Sequence, residues 1–336
     1  MWKFYQSHPE VFSAALRIYV PVLAIYILSI VLFETVSECG QVLHAVKALP
    51  SAPGPATGRE LLSRGDDTLV FMAAVFCLYV SCIFGFVFSY NKIKDLTTSS
   101  TRHSLLVLAL VTWLASSLSI LFIAPTFNSC LISEFFSIPK TGLAKLSPGN
   151  PLTTLMIFGR SLIDYIIDLC VVLTNLGFWF LAATMAIVLR GTKSQSPDER
   201  MGVIRSGHEV TSQLIVIASI IFITCTAAMG FWLKLPWTNA PADQANFYLQ
   251  YARAVNVYYG VTVSVLIGAA YTSCSMYLRR QAMALARSQV GASGALKWLE
   301  DNDLENPLAT HLRKGPILIA PLIASFLPSI GDMLFK

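Results

Sequence analysis

The chain is 336 residues long, 55% hydrophobic and only 13% charged, with a formal net charge of +5 and a mean hydropathy of +0.62. Soluble globular chains carry about 25% charged residues, so this composition excludes a water-soluble fold and points to a chain solvated mostly by lipid. A net charge of +5 calls for no nucleic-acid partner; in a membrane chain, basic residues chiefly set orientation.

A spanning helix needs about 20 predominantly apolar residues. In chain order the first such stretch is Ile18–Phe33. Glu34 and Glu38 follow it, with no small-residue cleavage site between, so it reads as a retained first span and not as a cleaved leader. The loop 34–68 contains Pro50-Ser51-Ala52-Pro53-Gly54-Pro55, an extended surface turn. Two further spans are expected at Leu69–Ser89 and Ser104–Ala124, joined by a short basic loop from Asn91 to His103.

A second long loop, Pro125–Asp164, is broken by Ser147-Pro148-Gly149-Asn150-Pro151. From Leu152 to Leu189 the chain is apolar or amphipathic without a break, too long for one span. An interfacial helix feeding a fourth span at Tyr165–Leu189, or one long tilted helix, is expected. Ser196-Pro197-Asp198-Glu199 is a helix start: a Ser cap, Pro at the first helical position, and acids in the first turn. It predicts a short cytoplasmic helix leading into a fifth span at Gln213–Leu233; the sixth is Val255–Leu278.

Residues 1–278 thus form the bundle, 279–314 a cytoplasmic tail, and 315–336 an apolar segment interrupted by Pro316, Pro321 and Pro328. Each interior proline frees a backbone carbonyl, which is costly in lipid. An interfacial or re-entrant segment is therefore favoured over a seventh span. The expected fold class is an all-α polytopic membrane protein, a bundle of about six transmembrane helices.

Orientation follows from Lys and Arg. With the N-terminus cytoplasmic, the inner segments hold Lys92, Lys94, Arg102, Arg190, Lys193, Arg200, Arg205, Arg279, Arg280 and Arg287, packed close to helix ends. The outer loops hold fewer, among them Lys140, Lys145 and Arg160. The absence of any Asn-x-Ser/Thr glycosylation sequon fits a bacterial inner membrane.

Three constellations stand out. Arg160, Asp164 and Asp168 recur every fourth residue, so a helix would place them on one face, with Asn175 two turns on. Acids inside a membrane span are functional candidates by default. The sharp reading is an ion or solute site centred on Asp168; the plain one is an Arg160–Asp164 surface pair. Second, Asn256, Gly260, Ser264, Gly268 and Thr272 form a small-residue stripe on the sixth span, suited to close helix packing or to lining a pore. Third, of seven cysteines only Cys39 and Cys130 fall in outer loops, where an oxidising exterior would pair them in a disulfide.

No Cys-x-x-Cys motif argues for a metal centre, and no histidine falls within a span to ligate haem, so no cofactor is expected. Nucleophile-elbow, zincin and phosphate-loop motifs are missing. Ser329-Ile330-Gly331-Asp332 is similar to the Gly-x-Gly-Asp signature of intramembrane aspartyl proteases but lacks its first glycine. Its second acid, Asp168 or Asp164, would lie near the outer face, so this remains a remote alternative. Two functions are carried forward. One is a non-enzymatic subunit of a larger membrane assembly, such as a homo-oligomeric pore or part of a secretion, defence or transport complex. The other is a self-contained ion or small-solute transporter using Asp168. Partners expected are lipid and other membrane subunits, or further copies of the chain.

Overall fold

The computed structural model describes residues 39–48, 58–97, 99–118, 136–147, 150–188, 196–239, 242–302, 304 and 308–326, with seven helical positions between 20 and 32. The expected first span therefore falls largely outside the described residues, as do Cys130, the Cys39–Cys130 pairing and Ser329–Asp332. In order, the elements are α1 (Cys39–Ala48), α2 (Gly58–Leu96), α3 (Ser99–Leu118), α4 (Ile138–Leu146), α5 (Pro151–Thr154), β1 (Met156–Ile157), β2 (Arg160–Ser161), α6 (Leu162–Val188), α7 (Pro197–Lys234), a 3-10 turn (Leu235–Asn239), α8 (Ala242–Asp301) and α9 (Leu308–Ala324).

The protein is an all-α membrane protein. Among the described residues four helices are long and apolar enough to cross a membrane, within α2, α6, α7 and α8; α3 contributes a shorter apolar stretch, Leu105–Leu118. The expected count of six is not reached among them.

α7 is the central post. Its apolar window is 61% buried against 28% for that of α2, and it packs on α2, α6, α8 and α9. Close approach at its middle is set by glycine. A side chain at Gly85 of α2 would meet Ile221 Cδ1 at 2.6 Å, and one at Gly177 of α6 would meet the same atom at 3.2 Å. Ile221 thus wedges between two bare backbones. In lipid, where apolar burial against a neighbour brings little, such packing is what holds helices together. α3 docks on α6 through two indoles: Trp113 donates to Val172 O (3.0 Å) and Trp179 donates to Ser116 Oγ (2.7 Å).

The outward faces of α2 and α3 are apolar. Phe76, Val80, Ile83, Phe84 and Val87 on α2, and Val107, Leu110, Val111 and Leu114 on α3, are exposed. In water such a belt would be a liability; against lipid it is the expected surface.

Both ends of the bundle carry small lobes. At the end bearing the β1–β2 hairpin, Val42 and Val46 of α1, Ile138 and Leu146 of α4, Trp237, and Tyr248 of α8 share a core. Trp237 and Tyr248 stack at 4.3 Å, and Gly142 leaves room for the Trp237 ring, which a side chain there would meet at 2.8 Å. At the opposite, basic end, α7 and α8 overrun the membrane. α7 has 38 residues, about 57 Å at 1.5 Å per residue, against a hydrocarbon core of about 30 Å. The expected short helix after Ser196 is therefore continuous with the fifth span. Its capping box is formed, with Glu199 N donating to Ser196 Oγ and Ser196 N donating to Glu199 Oε2.

α8 continues past its span to Gly291, whose φ of 77° and ψ of 177° break the helix and fold it back. Ala282, Leu285 and Ala286 before the break then meet Ala295, Leu299 and Leu304 after it, with Ile204 of α7. The segment expected as a tail is, as far as Asn302, a packed lobe, and Arg205 donates to Asn302 O (3.0 Å) to close it.

As far as Ala324 the Pro-interrupted segment is a helix, α9, packed on α7 and α8, while Pro328 lies outside the described residues. α9 runs antiparallel to α8: Ser325 lies against Asn256, and Leu322 against Ser264.

Candidate functional site

The first candidate site lies where α6 begins. The sequence expectation placed Arg160, Asp164 and Asp168 on one helix. The structure corrects this: Phe158 (φ 47°) and Gly159 (φ 80°) make a tight turn that no helix can contain, so Arg160 sits on β2 and the helix starts at Leu162. The interfacial helix expected from Leu152 is in fact the single turn α5 followed by this hairpin. Asn150 caps α5, its side chain accepting from Leu152 N (2.9 Å).

The ion pairs differ from the expected one as a result. Arg160 Nη2 reaches past the first turn to Asp168 Oδ2 at 2.8 Å. Its guanidinium also lies 5.3 Å from the centre of the Tyr165 ring. The hydrogen bond to Asp168 raises the already high pKa of Arg160, so the guanidinium stays charged. Asp164 pairs instead with Lys140 of α4, at 2.6 and 2.8 Å from its two oxygens, and accepts from Ser161 N (3.2 Å) and Ser161 Oγ (2.6 Å). As the third residue of α6 its carboxylate satisfies a free N–H and faces the positive end of the helix dipole. Each acid thus has a cation and a local structural task. Asn175, two turns further along α6, is half-buried and belongs to neither pair. Sequence reasoning missed Lys140; as a single lysine in a loop, it carried no signal of its distant partner.

The second candidate is the stripe on α8, which the structure divides. Asn256, Gly260 and Ser264 form the seam with α9. Asn256 Nδ2 donates to Ser325 O (2.8 Å) and Ser264 Oγ accepts from Leu322 N (3.2 Å). At Gly260 an added side chain would meet Ser325 Cβ at 2.9 Å, Pro321 O at 3.0 Å and Leu322 Cα at 3.2 Å. Gly268 faces open space, and exposed Thr272 bonds back to Gly268 O (2.8 Å). The partner of Asn256, Gly260 and Ser264 is the Pro-interrupted segment, and Asn256 and Ser264 serve its backbone at Ser325 and Leu322. Asn256 Oδ1 lies buried in this seam without a hydrogen bond.

Between these sites, the span cysteines are free thiols. Cys170 lies 3.8 Å from the Tyr79 hydroxyl, which itself donates to Ile166 O (3.0 Å), and Cys225 lies 3.3 Å from the Tyr259 hydroxyl. Among the described residues no group of three or more His, Cys, Asp or Glu side chains is arranged to hold a metal ion. Comparison with known proteins finds no matching family, no matching curated protein and no matching solved structure.

Proposed function

We propose that this chain is a non-enzymatic, multi-pass membrane subunit of a larger assembly, in which any channel forms between subunits. The observation that carries the reading is what the two acids of α6 touch. A carboxylate that ligates a transported ion must give up its other partners to that ion, whereas Asp164 is held by Lys140 and Ser161, and Asp168 by Arg160. The packing of Ile221 between Gly85 and Gly177 supports the same reading, because α2, α6 and α7 meet there through close-packed apolar groups. The outward apolar faces of α2 and α3 offer neighbouring subunits, as well as lipid, a surface to pack on. The cluster of Lys and Arg at the end opposite the hairpin favours a cytoplasmic position for that end, in a bacterial inner membrane.

The test is the mass and composition of the complex extracted gently from its own membrane at native expression level. Stoichiometric partner chains or a homo-oligomeric ring are expected. A lone 36.8 kDa chain that carries ion or solute flux, and loses it on Asp168→Asn, would replace this reading with a transporter.

A further inference from the structure

We propose that the β1–β2 hairpin is a membrane-interface anchor, whose apolar tip beds into the headgroup–acyl boundary of the bilayer that α6 enters. The sequence of the hairpin runs Leu155, Met156, Ile157, Phe158, Gly159, Arg160. Its four apolar residues are all exposed, Leu155 at 51%, Met156 at 58%, Ile157 at 38% and Phe158 at 97%. Nothing in the described fold covers the tip.

The turn makes this choice of residue costly. Two-residue hairpin turns with positive φ at both positions favour Asn, Asp or Gly at the first. Here a bulky aromatic stands at φ 47°, a region that such side chains rarely occupy. An aromatic ring in a disfavoured backbone conformation, with 97% of its surface bare, gains nothing from its own chain. Its benefit lies in what surrounds the protein.

The ties of the hairpin give the direction. Tyr165 Oη donates to Ile157 O (2.9 Å), and Arg160 pairs with Asp168 (2.8 Å). Tyr165 and Asp168 lie on the first two turns of α6. Both bonds therefore draw the hairpin back alongside the helix, toward the bilayer and not away from it. α6 has 27 residues, about 40 Å of helix, which matches the bilayer with its headgroup layers at about 40–45 Å. Its first turns, and the hairpin held against them, then sit at headgroup level. An apolar tip flanked by Arg160 and Tyr165 has the chemistry of that layer, where amphipathic rings and snorkelling cations collect. The occupant is thus lipid and not the apolar surface of another protein.

The experiment places the photo-crosslinking amino acid p-benzoylphenylalanine at position 158, in the full chain in its native membrane. Phe84, exposed on the lipid-facing side of α2, is the lipid control, and Gln289 on the basic lobe is the water control. Because position 158 is almost wholly bare, the aromatic replacement leaves the fold intact. Lipid adducts at 158 should approach those at 84 and exceed those at 289 several-fold by mass spectrometry. Adducts to another polypeptide, or a lipid yield as low as at 289, would overturn the anchor. A polypeptide adduct at 84 would report a neighbouring subunit on α2, and the lipid yield at 158 is then judged against 289 alone.

Discussion

Gly260 and Gly268 share one face of α8, yet a side chain added to each meets different surroundings. At Gly260 the obstacles include backbone of α9, Pro321 O and Leu322 Cα, which cannot rotate away. Gly260→Ala must push the two helices apart, and overpacking of this kind costs about 1–3 kcal/mol. At Gly268 nothing lies within 4 Å of the added atom. Gly268→Ala should instead gain about 0.5–1 kcal/mol from reduced backbone freedom in the unfolded helix. Thermal unfolding in detergent should therefore move down for Gly260→Ala and slightly up for Gly268→Ala. Equal shifts would mean that the seam is not where the structure puts it. Asn256→Ala tests the same contact from its polar side: losing the bond to Ser325 O should cost about 1 kcal/mol. The spacing of the stripe was legible in the sequence. Its division was not, because spacing says which residues share a face and nothing about how far along that face a neighbour reaches.

At the scale of elements, two short devices position long helices. One is the start of α6, where Asp164 joins the helix to Ser161 and to Lys140 of α4. Loss of a capping acceptor costs about 0.5–2 kcal/mol, while a half-exposed ion pair contributes about 0–1 kcal/mol; Lys140 is 45% exposed. Asp164→Ala should therefore lower the unfolding midpoint more than Lys140→Met does. Because Asp164→Ala removes both the cap and the pair, equal shifts would show that the ion pair, and not the cap, holds α6. The other device is Gly291. Its φ and ψ fall in a region open essentially to glycine alone, so Gly291→Ala should strain the lobe by about 1–3 kcal/mol although open space surrounds the position. Faster limited proteolysis between Arg279 and Asn302, with the spans intact, is the expected readout.

These devices mark the limit of what the sequence showed. The spans of α2, α6, α7 and α8 were legible because about 20 apolar residues in a row have few other uses, and the Ser196 start of α7 was legible from its cap and acids. The hairpin was hidden inside an apolar run, where the only sign of it is the Phe158-Gly159 pair. The ionic partners were hidden because Lys140 and Asp164 are 24 residues apart, with no periodicity linking them.

At the scale of the whole molecule, α9 decides where the chain ends up. Interior prolines argued against a seventh span, because freed backbone groups are costly in hydrocarbon. α8 meets part of this need: Ser264 Oγ accepts from Leu322 N beside Pro321, Asn256 donates to Ser325 O at the end of α9, and Gly260 admits the Pro321 region to close contact, while the carbonyl that Pro321 frees is that of Ile317. α9 has 17 residues, about 25 Å of helix, and ends level with Asn256 near the hairpin end of α8. Starting from the basic lobe, it thus covers most of the depth that α8 crosses. A re-entrant segment would return to the side it came from; the bonds at Leu322 and Ser325 set the end of α9 antiparallel to α8, and the prediction is that α9 points across. Labelling single-cysteine variants with a membrane-impermeant maleimide tests this in sealed vesicles of known sidedness. Gln289→Cys on the basic lobe should react from the cytoplasmic side. Gln250→Cys at the hairpin end and Phe326→Cys past the end of α9 should react from the other. If Phe326→Cys reacts together with Gln289→Cys, α9 turns back and its proline-broken backbone needs partners other than α8. If Gln289→Cys and Gln250→Cys exchange sides, the helix packing stands and the orientation inferred from Lys and Arg is inverted.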